Sequence, residues 1–391
     1  MIGTEWRLAY VLPNFTLEPL ATPRAQERGL GLETHDIAIV AAHDPRLAEI
    51  RAASSGANTL LSAFIDQFGM PYQPAALVVR DDASIRQYPW ESAIVSYRTA
   101  VAMAVLLRAT AHEISIGTGR GWLYSDAFQF HPTTVADNGI GLLTIAPSMA
   151  SGNPRPDKHV AMPSPYLPLG PRPLLADAYL WRVLTREWER RYLLPGEDDV
   201  FGRALFRSLD VAYQASAAPL RHGGTMHEYG AILSNWVSAI EILVWPKDGH
   251  ADEDRVLAFL RASQWWLDAR LTSPTFPVVR RKKGKRRKEQ MTPLEGVCAW
   301  LYRARNDFLH GNRVARRLFF PVTSAPAMSL MDFAPLIYYA VLAAYLAPRY
   351  PSYRTRSPDE DTGDELLEAN TYEQAFLKLL GLREKITFVA T

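Results

Sequence analysis

The chain has 391 residues, 48% of them hydrophobic and 21% charged, the ordinary composition of a globular protein large enough for two cores. Its 43 Lys plus Arg nearly balance 41 Asp plus Glu, so a net charge of +2 gives no global attraction to nucleic acid or membranes, and any such signal must be local. A single cysteine, Cys298, excludes an intramolecular disulfide and any zinc site built from several thiolates; this fits a reducing compartment, and the cytoplasm is the expected location.

The opening MIGTEWRLAY has no basic segment followed by an apolar run, so it does not read as a secretory signal. The most apolar segment, 99–107, is far shorter than the roughly 20 residues that cross a bilayer, and no membrane partner is expected. Residues 36–40, 75–79 and 139–145 read as short strands. Asn58 is placed to cap a helix over 59–68, and the longest helical pattern covers 90–111. Together they predict a mixed α/β domain over 1–165. The proline-dense MPSPYLPLGPRP, 162–173, continues neither a helix nor a central strand and marks a linker.

Beyond it the apolar period is helical over 177–194, 199–217, 227–244, 251–271, 293–310 and 331–346. This predicts an all-α helical bundle over 166–350, and therefore an α+β chain overall. An acidic stretch at 359–368 and a short helical pattern over 372–380 form a tail, 351–391. Between two bundle helices lies RRKKGKRRK, 280–288, whose charge density predicts an exposed loop. Its cations, Arg280, Arg281, Lys282, Lys283, Lys285, Arg286, Arg287 and Lys288, suit an RNA backbone, with affinity that falls steeply as salt rises. The run has no ring on which a base would stack, so a solvated loop is the competing reading. GTGRG at 117–121 lacks the Lys-Ser/Thr ending of a phosphate loop and reads as a turn. Trp265, Trp266 and Leu267 read as core or dimer surface, and Asp126 and His131 as structural.

RARNDFLHGN, 303–312, ends the 293–310 helix with two arginines, an asparagine and a histidine. Arg followed at short range by His is a common accident, and the chain repeats it at Arg28 with His35 and Arg221 with His227. Those two cross glycine-containing, non-helical segments, whereas the third has a rigid carrier. Leu294, Val297, Leu301, Ala304 and Phe308 recur at helical spacing and define its buried face. At about 100° per residue, His310 and Asn306 look outward and Arg305 projects to the flank. Gly311 suits a left-handed cap, leaving His310 in the last turn, where the helix dipole favours positive charge. Cations gather at helix ends for that reason alone; an Arg, Asn and His cluster is also an anion site with a proton donor.

Arg305, the polar Asn306 and, after four intervening positions, His310, near the end of a late bundle helix, resemble the signature of HEPN domains (higher eukaryote and prokaryote nucleotide-binding). The segment 231–243, AILSNWVSAIEIL, with Ser238 and Glu241, is similar to the corresponding helix of the Apea-like branch of that superfamily. The resemblance covers roughly residues 175–350. It implies a metal-independent endoribonuclease with no cofactor, in which two protomers form a homodimer and line one cleft with both motif copies. Service as a toxin or antiviral defence effector follows from the same resemblance. Carried over by position, Arg305 holds the scissile phosphate, His310 transfers a proton as the ribose 2′-hydroxyl attacks, and Asn306 orients one of them. A planar guanidinium grips phosphate by two bonds and an imidazole exchanges protons near pH 7, which is why these residue types serve. Glu241 borders an apolar stripe and is expected to hold Arg305 or Arg303, a purely structural ion pair being the competing reading, with Ser238 and Arg303 completing the supporting set. Asp307 would repel RNA unless paired. The alternative is a non-catalytic RNA- or nucleotide-binding dimerisation scaffold.

Overall fold

The computed structural model describes residues 5–15, 34–66, 68–83, 90–116, 133–135, 142–144, 159–160, 166–167, 170–171, 176–194, 199–217, 225–246, 251–263, 269–273, 276–282, 285–312, 329–350 and 363–381. The chain divides into two units, Met1–Leu106 with Trp122–Asp198, and Leu107–Gly121 with Asp199–Thr391.

The first unit carries strands β1 (Trp6–Leu12), β2 (Ile37–Val40), β3 (Phe64–Ile65) and β4 (Ala75–Arg80), with helices α1 (Pro45–Ala53) and α2 (Ser55–Ser62). Strands β1, β4 and β2 form an antiparallel sheet in that order. Central β4 is buried from Ala75 to Val79, which accounts for its unbroken apolar run. Leu47, Ile50, Leu60 and Leu61 of the two helices join Ala38, Val40, Ala76 and Val78 of the sheet in one apolar cluster. Strand β1 is an addition to the sequence reading.

The helix expected over 59–68 is displaced. The Ser54 hydroxyl accepts the Ala57 N–H at 3.2 Å and starts the helix at Ser55, before Asn58. It stops at Ser62, and Asp66 Oδ1 accepts the Phe68 and Met70 N–H groups in a turn that places Gly69 at φ +83°.

Helix α3 (Trp90–Ile116) extends five residues past the expected end at 111. Its stretch Ser92–Ser115 is long and apolar enough to cross a membrane, but an apolar run of 18 residues within it is 78% buried in the fold, the setting of a core helix. Short strands follow: β5 (Thr133–Val135), β6 (Leu142–Thr144), β7 (His159–Val160), β8 (Tyr166–Leu167) and β9 (Gly170–Pro171). They pair as β5 with β6, β3 with β7, and β8 with β9. The last pair lies inside the proline-dense linker, where a two-stranded ribbon has only edges and tolerates proline. GTGRG at 117–121, Asp126 and His131 lie outside the described residues.

Helix α4 (Ala178–Tyr192), expected in the bundle, belongs to the first unit. Asp177 caps it, and its aromatic residues pack on α3: the Trp188 indole N–H donates to the Ala93 carbonyl at 2.8 Å, and the hydroxyls of Tyr192 and Ser96 lie 2.7 Å apart. An amphipathic pattern shows that a helix has a core to face, not which core.

The second unit holds α5 (Val200–Ala217), α6 (Met226–Val244), α7 (Glu253–Ser263), α8 (Ala269–Thr272), β10 (Phe276–Lys282), β11 (Lys285–Met291), α9 (Pro293–Leu309), α10 (Leu330–Leu346) and α11 (Gly363–Leu379). Helix α10 is buried along almost all its length and forms the centre. Its Tyr338 hydroxyl lies 3.0 Å from Ser208 Oγ of α5, which donates to the Ala239 carbonyl of α6 at 2.8 Å, so one hydroxyl pair ties three helices. Capping boxes start α6 (Thr225 with Glu228), α9 (Thr292 with Glu295) and α10 (Ser329 with Asp332).

Three expectations change here. The helix over 251–271 ends as α7 at Ser263, and α8 is separate; Trp265, Trp266 and Leu267 lie outside the described residues. The pattern at 372–380 is the end of the longer α11, which is packed and not a free tail: Tyr372 stacks on Tyr339 at 3.4 Å and Phe376 meets Phe333 edge-on at 5.3 Å. Most importantly, 280–282 and 285–288, expected in a loop, are paired strand residues of the antiparallel hairpin β10–β11.

Helix α9 seats on α6 through a ring in a notch. Gly230 has no side chain, and the Phe308 ring occupies the space its Cβ would fill. Replacing Gly230 with Ala should destabilise the protein by about 1–3 kcal/mol through overpacking, read as a lower urea midpoint. Gly230→Ala combined with Phe308→Leu should recover part of that loss.

Candidate functional site

The site is built on α9. Leu294, Val297, Leu301 and Ala304 are buried, and Phe308 is partly buried against Gly230 and 5.4 Å from the His227 ring. That face fixes the roll of the helix and turns Arg305, Asn306 and Asp307 to a partly exposed flank.

The Arg305 guanidinium is a quarter exposed. Its Nη1 donates to Asn306 Oδ1 at 3.1 Å, and its Nη2 lies 3.6 Å from Glu241 Oε2 of α6. Nε is buried without a hydrogen-bond partner. Of the expected partners for Glu241, the structure pairs it with Arg305; Arg303 is 64% exposed and lies 4.0 Å from Asp307 instead. Ser238 sits one turn before Glu241, partly buried, with no side-chain hydrogen bond among the described residues. Tyr302, one turn before Arg305, is buried beside Glu241; burial pushes its phenol well above its ordinary range, with Cys298 and Glu241 adding to the shift. Tyr302 was not singled out in the sequence, where it reads as one more core aromatic.

The helix terminus is a Schellman turn. His310 is the cap residue and Gly311 follows at φ +66°; the Gly311 N–H donates to the Phe308 carbonyl at 3.1 Å and the Asn312 N–H to the Asp307 carbonyl at 2.9 Å. The same turn uses Asp307, whose carboxylate accepts from Asn312 Nδ2 at 3.0 Å, so its charge is engaged by the cap and by Arg303. His310 is left exposed on this turn. No hydrogen bond joins Arg305 to His310 among the described residues. Five positions apart on a helix they differ by roughly 140° in direction and about 7.5 Å in height.

The hairpin is fixed to the start of α9. Phe276 fills the space above Gly296 and meets Trp300 edge-on at 4.8 Å, while Val278 and Met291 are buried. Arg280, expected among the RNA-binding cations, has another task. It is 9% exposed, donates to Glu253 Oε1 at 2.7 Å and Asp254 Oδ1 at 2.8 Å, and lies 3.5 Å from Glu289. Burial opposes its charge, and the hydrogen bonds to Glu253 and Asp254 outweigh that, raising its pKa further. Arg287 and Lys288 are exposed; Arg281, Lys282, Lys285 and Arg286 are placed by strand register alone, and Lys283 lies outside the described residues. Among the described residues no cluster of three or more His, Cys, Asp or Glu is arranged to hold a metal ion.

No protein-family model matches the chain, and no curated protein or solved structure shows significant similarity to it.

Because Arg280 is enclosed by carboxylates, Arg280→Ala should cost about 1–3 kcal/mol, less than a fully buried pair because Glu253 and Asp254 remain partly in water. Urea unfolding measures the loss, and amide exchange should show it concentrated in β10 and β11. Arg280→Lys should recover little, since one ammonium does not reproduce the two-armed contact.

Proposed function

We propose that the protein is a metal-independent endoribonuclease of HEPN type whose reaction centre joins Arg305 of one protomer to His310 of another. The observation that carries this reading is the state of Arg305. Glu241 and Asn306 orient the guanidinium, it is a quarter exposed, and Nη1 and Nη2 each keep an N–H for a phosphate while Nε is buried. A salt bridge at 3.6 Å and partly in water stabilises the fold by less than about 1 kcal/mol, so its main effect is to aim the side chain. His310 supplies the proton-transfer group, exposed on a turn that its own backbone rigidifies. The angular gap between them favours a composite centre, because a phosphate gripped by one copy's Arg305 is out of line with that copy's imidazole.

In this reading His310 accepts the 2′-hydroxyl proton as the oxygen attacks phosphorus, the P–O5′ bond breaks, the leaving 5′-oxygen takes a proton from water, and Arg305 stabilises the developing charge. The products are a 2′,3′-cyclic phosphate and a 5′-hydroxyl. Asp307, held by Asn312 and Arg303, does not repel the substrate as a bare carboxylate would. Action within toxin or antiviral defence belongs to the same proposal.

Wild-type protein in EDTA should cleave labelled RNA, and Arg305→Ala and His310→Ala should each lower the rate about 100-fold or more with an unchanged circular dichroism spectrum. Mixing the two inactive variants should restore roughly a quarter of the activity, because half the dimers are mixed and each has one complete centre. Cleavage by His310→Ala at the wild-type rate sinks the assignment, and failure of the mixture sinks the shared centre. Tight RNA binding with no cleavage by the wild type points to the non-catalytic scaffold instead.

A further inference from the structure

The hairpin β10–β11 sets like charges against each other. Its register opposes Arg280 to Arg287, Arg281 to Arg286 and Lys282 to Lys285. Like charges directly across an antiparallel pair are destabilising, and here three consecutive rungs repeat the fault. Arg280 is compensated by Glu253, Asp254 and Glu289. The apolar root on Gly296 and Trp300 holds the ribbon in spite of its tip. Repulsion across the ladder costs the ribbon stability, and a ligand of high negative charge removes it on binding.

The register also distributes the charge. Cross-strand partners share a face and neighbours along a strand alternate, so positions 282, 285 and 287 fall on one face and 281, 286 and 288 on the other. Setting Arg280 aside, three cationic positions lie on each side. A track for a single strand needs charge on one face and rings for the bases; this ribbon is cationic on both faces and has no aromatic residue from 277 to 290. Charge on both faces matches a slot with phosphates on both walls, which is the groove of a paired nucleic acid; the B-form major groove, about 12 Å wide, admits a two-stranded ribbon, and an A-form stem admits one where a loop, bulge or end widens its narrow major groove.

We infer that β10–β11 is an arm that enters a groove of double-stranded nucleic acid and grips the phosphodiester walls on both sides without reading sequence. This deepens the proposed function by naming the substrate as a paired or stem-containing molecule, and it rests on that reading only for the choice of RNA over DNA. The shared phosphodiester chemistry is common to both.

The test uses the full-length chain as His310→Ala, so that binding is read without cleavage, with labelled duplex RNA, duplex DNA and the single strands of equal length. Fluorescence anisotropy across a salt series should show duplex bound at least about tenfold tighter than single strands. The variant R281S/K282S/K285S/R286S should lose about tenfold or more in duplex affinity near physiological salt, and the slope of log K against log salt should fall by about 3. Its melting temperature should stay the same or rise, because two repulsive rungs are gone. A second variant, R287S/K288S, changes two exposed positions outside those rungs and should weaken binding in the same sense, to a smaller degree. Unchanged duplex binding by both variants, single strands bound as tightly as duplex, or a lower melting temperature with unchanged affinity would overturn the inference. Tighter binding of duplex RNA than duplex DNA supports the arm and the ribonuclease reading together; the reverse order supports the arm and counts against RNA as substrate. Loss of cleavage on Arg305→Ala is independent of all these readings, so failure of either proposal is seen separately.

Discussion

Everything proposed for the second unit depends on how Phe308 sits over Gly230. That seat fixes both the roll and the height of α9 against α6, because a ring in a notch tolerates neither sliding nor rotation without a clash or a void. With Val297, Leu301 and Ala304 buried above it, Arg305 must face the flank where α6 presents Glu241. The ion pair is too exposed to set this geometry by itself; packing sets it, and the ion pair chooses the rotamer. The Schellman turn then halts the chain one residue beyond the helix and leaves the imidazole outside.

Charge is divided along the same helix. At the root of the hairpin Arg280 is enclosed by three carboxylates, and at the terminus of α9 Asp307 is engaged by Asn312 and Arg303. Unlike charges are therefore matched where the chain is packed. At the hairpin tip the rungs are matched in sign, and pairing across the ladder works against the ribbon there. Rules of local consistency are broken chiefly where a chain has something other than folding to do.

How much of this could be read in the sequence depended on whether the deciding interaction was local. Ser/Thr-x-x-Glu/Asp spacing marks the starts of α6, α9 and α10, and the apolar stripe of α9 and its glycine cap are equally local. Glu241 was legible as an acid beside an apolar stripe that needed a cation, though not which arginine would answer it. Other features were set elsewhere. Helix α4 has the same amphipathic pattern as the bundle helices, and only Ala93 and Ser96, almost a hundred residues earlier, assign it to the first unit. The start of α2 was decided by one hydroxyl, at Ser54, against an equally suitable cap at Asn58. The hairpin was hidden by its own composition: nine residues with eight cations contradict strand pairing, and the apolar residues that enforce it, Phe276 paired with Met291 and the buried Val278, lie outside the charged run.

The two proposals meet on α9. The arm is rooted at Gly296 and Trp300, and the candidate reactive residues follow at Arg305 and His310, so the rise of the helix places root and centre roughly 7–20 Å apart along one stiff element. A duplex held by phosphates on both walls offers no unpaired 2′-hydroxyl in line with its phosphate inside the regular stem, since A-form geometry points the two away from in-line attack. A centre at this distance is therefore suited to cut where pairing ends, at a loop or junction beside the gripped stem. On the two proposals taken together, arm and centre divide the work by physics: the arm would select paired backbone by charge, and the flexible nucleotides next to it would reach the angle that Arg305 and His310 require.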